Sequence, residues 1–295
     1  MEFKILLKEK IDYIEELLRL YMPKEEGYQK TVIEAMNYSL NAGGKRLRPI
    51  LALEACRVVG GNEKDAIPFA IAIEMIHTYS LIHDDLPALD NDDFRRGKPS
   101  NHKVYGEAMG ILAGDALLNY AFEVMLSNSV DKEDPGKYLK AINEVAKGSG
   151  IYGMIGGQVV DVESENQQIP KEKLDYIHMN KTAAMIVGAM RAGAIVGGAN
   201  SEQLEDITNY AKNIGLSFQI VDDILDIVGD EKKLGKKVGS DIENNKSTYP
   251  SILGLDKSKE IALCLINEAK DNISKLSEDV AFLNGLADYI IAREY

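Results

Sequence analysis

A mostly apolar run from Ala66 to Ile82, broken by Pro68, Glu74, His77 and a few hydroxyls, ends directly in His83-Asp84-Asp85-Leu86-Pro87-Ala88-Leu89-Asp90-Asn91-Asp92-Asp93. The run spans several helical turns and is apolar on nearly every face, which is the pattern of a buried helix. Five aspartates within ten residues then follow. At the end of a buried helix they repel one another with little water to screen them. Bound cations relieve that repulsion. Hard divalent ions take oxygen ligands, and Mg²⁺ is the usual one where phosphates share the site. Taken alone, the stretch also fits a solvated acidic loop capping a helix.

A second stretch favours the cation reading. Phe218-Gln219-Ile220-Val221-Asp222-Asp223-Ile224-Leu225-Asp226 repeats the pattern far downstream. Asp222 and Asp226 are four apart and share a helix face, with Gln219 one turn before Asp222. Their neighbours are apolar, so this helix is also expected to be largely buried. Two acid clusters on two apolar helices suggest one shared metal cage.

The periodicity elsewhere is helical throughout. It predicts helices over residues 3–21, 28–41, 65–86, 105–127, 138–163, 171–197, 202–229, 257–276 and 281–293, with no persistent strand pattern and no dividing linker. We read one all-α domain over residues 1–295, a large helical bundle with an apolar interior. Pro87 is expected to end or kink the helix before it. A bend after Asp85 would let Asp84 and Asp90 face one site. Hydrophobic residues make up 45% of the chain, ample for a core. With 34 basic against 47 acidic residues the net charge is −13, which argues against nucleic-acid binding. Cys56 and Cys264 are far apart in apolar surroundings and read as reduced core residues of a cytoplasmic protein. The charged stretch Met1 to Lys10 does not read as a signal peptide. Glu74 and Arg191 interrupt the most apolar stretches, so no membrane span is expected.

In this acidic chain, three basic segments stand out. Asn41-Ala42-Gly43-Gly44-Lys45-Arg46-Leu47-Arg48-Pro49 places two glycines and three basic side chains where a helix begins. That is a candidate anion cradle without the P-loop spacing, and a basic turn is its plainer reading. Phe94-Arg95-Arg96-Gly97-Lys98-Pro99 lies beside the first acid cluster and either balances its charge or binds an anionic substrate. Residues 230–249 carry Gly235-Lys236-Lys237 and Lys246-Ser247-Thr248, a lysine-rich loop that reads as a lid over a phosphate or as a solvated charge run. His77, about two turns before Asp84, and Lys181, ahead of an apolar run, are further candidates.

Together these residues resemble the trans-isoprenyl diphosphate synthase family (polyprenyl synthetases), and within it the bacterial farnesyl diphosphate synthases. The resemblance runs from Gly43 to the C-terminus. It rests on Gly43 to Pro49, His83 to Asp90 with Arg95-Arg96-Gly97, Gly156-Gly157-Gln158, Lys181-Thr182, Gln219 to Asp226, Gly235-Lys236 and Lys246 to Pro250. Asn91 stands where bacterial relatives often have another Asp. The resemblance implies a Mg²⁺-dependent condensation of isopentenyl diphosphate with an allylic diphosphate. Mg²⁺, three per site and replaceable by Mn²⁺, would be held by Asp84, Asp85, Asp90 and Asp222, with Asp223 and Asp226 behind them. Arg95, Lys181, Gln219, Lys236 and Lys246 would hold the allylic diphosphate, with Thr182 nearby. Gly44, Lys45, Arg48, His77 and Arg96 would hold isopentenyl diphosphate. The principal catalytic residues would be Asp84, Asp85, Asp90, Lys181, Asp222 and Lys236.

Tyr79 and Ser80, just before the acid cluster, are the expected chain-length residues, with Tyr79 as tunnel floor and a fifteen-carbon product. A homodimer in the cytoplasm is implied as well. A twenty-carbon synthase and a non-catalytic subunit of a heteromeric synthase are the alternatives. A terpene cyclase would not need two diphosphate cradles, and a di-iron bundle would need Glu-x-x-His pairs that the chain lacks.

Overall fold

The computed structural model describes residues 2–228, 247–276 and 279–292, and these are helical almost throughout. The helices are α1 Glu2–Tyr21, α2 Lys30–Leu40, α3 Leu47–Val58, α4 Glu63–Asp84, α5 Asn101–Tyr105, α6 Glu107–Ser127, α7 Pro135–Ser149, α8 Met154–Val162, α9 Lys171–Ile177, α10 Ala184–Gly197, α11 Ser201–Val228, α12 Tyr249–Leu253, α13 Leu255–Ile273 and α14 Ala281–Ile291. This is the expected all-α bundle. A two-residue antiparallel pair, β1 Phe94–Arg95 with β2 Lys98–Pro99, is the one departure among the described residues.

Helix α4 is the axis. The Asn62 side chain caps it by accepting from the Lys64 amide, and it packs against α3, α6 and α10. Its apolar positions are buried on all sides, so it is a core helix rather than an amphipathic one. Helix α10 packs on α3, α7 and α11 and completes the interior.

Three expected helices are divided. The stretch 138–163 breaks into α7 and α8 across Gly150 to Gly153: a Cβ on Gly153 would lie 2.3 Å from the Gly148 carbonyl oxygen, so the chain turns where only glycine fits. The stretch 171–197 is α9 and α10 joined by a π-helical turn, His178–Ala183. Gly106, at φ 85°, separates α5 from α6. Helix α4 ends at Asp84, three residues before Pro87. Two further corrections concern exposure and hydropathy. Cys56 is buried as expected, but Cys264 is exposed. Helices Glu63–Asp84 and Glu107–Ser127 are long and apolar enough to cross a membrane, although 72% of the first helix's apolar window lies inside the bundle.

Candidate active site

The C-terminal end of α4 turns back on itself. The Asp90 amide donates to the Asp84 carbonyl at 2.9 Å and that of Asn91 to Leu86 at 3.1 Å, with Asn91 at φ 52°. This turn, rather than a proline kink, returns Asp90 toward Asp84. Asp84 is partly buried, and Gln158 of α8 donates to its Oδ1 at 3.1 Å. Burial raises its carboxyl to about 6, against Lys181, with Asp90 adding to the rise. Asp85 points elsewhere: it is 2% exposed and accepts from Arg95 Nε at 2.8 Å. Arg95 also reaches Asp92 at 3.2 Å.

Lys181 rides on the π turn, a kind of bulge that often marks a functional site. Two glycines let that turn pack closely. A Cβ on Gly157 of α8 would lie 2.1 Å from the Lys181 amide nitrogen, and one on Gly215 of α11 would lie 2.5 Å from Ala183 Cβ. Lys181 Nζ pairs with Asp161 of α8 at 2.6 Å. Burial opposes its charge, but Asp161 outweighs that and its pKa is raised.

Two cavities meet at Lys181. One, of about 220 Å³, is walled by Asp161, His178, Gln219, Asp222, Asp223 and Thr248. The other, of about 520 Å³, holds Arg48 and His77 on one side, Asp84 on another, and Tyr79 and Ser80 among apolar walls from Met154, Ile155 and Val159; Thr182 also lines it. Asp84 of the first acid cluster, Arg48 and His77 of the isopentenyl cradle and the chain-length pair therefore share one chamber, while Gln219, Asp222 and Asp223 line its neighbour and Asp85, Arg95 and Arg96 line a small separate cavity. Asp223 is already engaged: His178 Nε2 lies 3.1 Å from its Oδ2, and the Tyr249 amide donates to the same oxygen at 2.9 Å. Asp226 is buried at 1% exposure. Lys236 and Lys246 lie outside the described residues.

Among the described residues no three carboxylates or imidazoles stand close enough to form a ready cation cage. The donor set is nonetheless all hard oxygen, and Asp84 is a carboxylate whose charge is disfavoured by burial. Mg²⁺ commonly takes one or two carboxylates and completes its shell with water and substrate phosphates. The residues present fit that arrangement.

The basic cradle is assembled by a charge network the sequence did not foretell. Arg46, at φ 47° and 2% exposed, donates through Nε to Glu15 of α1 at 2.7 Å, through Nη1 to Glu74 of α4 at 2.6 Å, and to the Leu40 carbonyl. It faces inward and fixes the loop whose neighbours are Lys45 and Arg48. Arg48 Nη1 lies 3.4 Å from His77 Nε2. Burial lowers the His77 pKa well below its ordinary value and Arg48 pushes it the same way, so the ring is neutral at pH 7. The Arg96 guanidinium donates to the Gly43 carbonyl and sits 2.6 Å from where a Gly44 Cβ would be, so Gly44 leaves the room Arg96 occupies. Glu15, Asp161 and His178 were not marked by the sequence, and Glu74 was marked only as a break in the apolar run, where a lone buried carboxylate calls for a cationic partner. Asp161 also carried a signal: it falls one turn after Gln158, on the helix face that meets Lys181.

Fold and geometry define a class: helical proteins that enclose an apolar chamber opening on buried carboxylates and cations. The chain belongs to the polyprenyl synthetase family, which it matches over residues 29–283. It is 46% identical over 289 residues to the farnesyl diphosphate synthase of Geobacillus stearothermophilus, covering 98% of this chain and 97% of that protein. It is 51% identical over 266 residues to large subunit 1 of the chloroplastic heterodimeric geranylgeranyl pyrophosphate synthase of Arabidopsis thaliana, covering 88% and 72%. The crystal structure of geranylgeranyl pyrophosphate synthetase from Pyrococcus horikoshii matches with a TM-score of 0.88 and 33% identity, covering 99% of each chain.

Proposed function

We propose that the chain condenses isopentenyl diphosphate with dimethylallyl or geranyl diphosphate to give farnesyl diphosphate, acting as a short-chain trans-prenyltransferase. The observation that carries this reading is the single chamber joining Arg48 and His77, Asp84 and Lys181, and an apolar pocket bordered by Tyr79. The allylic diphosphate is bound between the two acid clusters, where Asp84, Asp90 and Asp222 would hold Mg²⁺ and Asp85, Asp223 and Asp226 support them. Bound there, the ions supply Lewis-acid neutralisation of the departing diphosphate. Lys181 and Gln219 orient that diphosphate, and Arg95 fixes Asp85 beside it. The allylic C–O bond breaks with its electron pair leaving on the diphosphate. Isopentenyl diphosphate, held by Lys45, Arg48 and Arg96, donates its double-bond electrons to the allylic cation. The proton then lost from the adduct goes to the released diphosphate, because His77, kept neutral by burial and Arg48, is a weak base. Working as a homodimer in the cytoplasm is part of the same proposal, and the exposed apolar residues Ile111 and Leu112 on α6 support the dimer.

The test is incubation with Mg²⁺, isopentenyl diphosphate and each allylic diphosphate, followed by chain-length analysis. A chain that binds but never condenses these substrates would be a non-catalytic subunit instead.

Two cradles imply separable kinetics. Losing a charged hydrogen bond to one diphosphate is worth about 1.5–3 kcal/mol, or about 10- to 100-fold in KM. Arg48→Ala is expected to raise the KM for isopentenyl diphosphate by that factor and to spare the allylic KM. Lys181→Ala is expected to act on the allylic substrate and on kcat. Identical effects of both variants on both substrates refute the assignment.

Product length separates the farnesyl reading from a twenty-carbon one, which the Arabidopsis and Pyrococcus proteins make worth testing. Tyr79 is 6% exposed and borders the chamber one and a half turns from Asp84, where a growing tail would meet it. Tyr79→Ala is expected to shift the product from fifteen carbons to twenty or more under excess isopentenyl diphosphate. A folded, active variant that still stops at fifteen carbons rules Tyr79 out as the floor.

A further inference from the structure

We propose that His83 of α4 and Gly114 of α6 form a second layer of the chain-length wall, holding the Tyr79 ring from its flank; this rests on the reading of Tyr79 as the floor. Tyr79 and His83 stack edge to face, with ring centroids 5.7 Å apart and planes at 80°. Both border the apolar chamber. Among the described residues the buried Tyr79 hydroxyl has no hydrogen-bond partner, so packing against its neighbours is what holds the ring. His83, by contrast, is anchored. Its Nε2 lies 3.0 Å from the Ile111 carbonyl oxygen, which can only accept, so Nε2 carries the proton. Asp115 lies 4.0 Å from the same nitrogen.

The anchor depends on a glycine. A Cβ on Gly114 would lie 2.0 Å from Nε2, 2.4 Å from Cδ2 and 2.8 Å from Cε1 of the imidazole. The ring therefore lies flush on the bare backbone of α6, and any side chain at 114 displaces it. The chamber that His83 already borders lies open to it. Ser80, the other residue expected to gauge length, donates back to the His77 carbonyl at 2.9 Å and leaves the wall to its larger neighbours. Among the described residues His83 bonds to Ile111 and stacks on Tyr79 rather than pairing with a cradle residue, and its role is to position Tyr79.

The two sides of the contact predict opposite changes. His83→Ala removes the prop, so the Tyr79 ring can move aside and longer tails fit. Gly114→Ala drives the imidazole into the chamber, so tails are released early. A steric gauge altered by a few carbon atoms changes discrimination by at least about tenfold. The experiment measures product distributions of wild type, Tyr79→Ala, His83→Ala and Gly114→Ala with dimethylallyl diphosphate and excess isopentenyl diphosphate, alongside thermal midpoints. The proposal expects the ratio of twenty- to fifteen-carbon product to rise at least tenfold in His83→Ala, and that of ten- to fifteen-carbon product to rise in Gly114→Ala. A merely structural role would lower rates or midpoints and keep the wild-type distribution, and that result overturns the proposal. Lengthening by Tyr79→Ala alone overturns the second layer and leaves the floor standing. No lengthening by Tyr79→Ala overturns both. If His83→Ala does not fold, Gly114→Ala decides.

Discussion

Asp84→Ala is expected to cost at least two to three orders of magnitude in kcat, about the loss seen when one preorganised group that stabilises transition-state charge is removed. The argument starts from where the carboxylate sits. It is the last residue of α4, partly buried, held by Gln158 at 3.1 Å and raised to about 6 by burial. A charge so placed weakens the free fold and is useful only when a cation meets it, the familiar trade of stability for function at active sites. Asp84→Asn should therefore raise the thermal midpoint of the metal-free protein while abolishing turnover, and EDTA should abolish turnover of the wild type. Differential scanning fluorimetry and a condensation assay read the two effects separately. Full activity in EDTA, or an Asp84→Ala variant within tenfold of wild type, would remove the first acid cluster from the chemistry.

What the sequence disclosed, and what it hid, follows from the range of the forces involved. Helix α4 was legible because its signals are local: a long apolar run with few breaks and a polar end at Asp84, although the Asn62 cap went unread. The acid clusters and the basic cradle were legible for the same reason, since each is a short run of one charge. The break between α7 and α8 was not. In sequence, Gly148, Gly150, Gly153, Gly156 and Gly157 are compatible with close packing of one helix, and only the fold reveals that Gly153 stands where a Cβ would strike the Gly148 carbonyl. The π turn under Lys181 was equally hidden. Its extra residue is accommodated by Gly157 on one flank and Gly215 on the other, two positions that become neighbours only in three dimensions. The expected roles of Asp85 and Asp223 met the same limit. Nothing in the spacing says that Arg95 already binds the first, or that His178 and the Tyr249 amide already bind the second.

The buried arginine is the clearest case of a long-range contact with a large consequence. Arg46 and Glu74 have side chains that are 0% and 1% exposed, and they meet at 2.6 Å across 28 residues of sequence. Burial alone would depress the Arg46 charge, yet Glu74 and Glu15 more than restore it. Glu74 also supports the charge of Arg48, whose guanidinium burial and Arg96 work against, and Arg48 Nε is buried without a partner among the described residues. One carboxylate thus stabilises two neighbouring arginines. Breaking a buried pair by removing one partner costs about 3–5 kcal/mol, because it leaves an uncompensated charge. Glu74→Ala is expected to lose that much in a urea titration, with the midpoint lowered and the slope unchanged. Replacing both partners with apolar residues of similar size is often neutral, so Arg46→Met with Glu74→Leu should recover part of the loss, Glu15 being at 19% side-chain exposure and able to turn to water while Arg48 still lacks the support of Glu74. The double variant then separates stability from function. It is stable but lacks the interactions that hold the loop at φ 47°, so its KM for isopentenyl diphosphate should rise while its allylic KM stays near that of the wild type. A double variant with wild-type kinetics would mean that Arg46 serves the fold alone and that Lys45 and Arg48 are positioned without it.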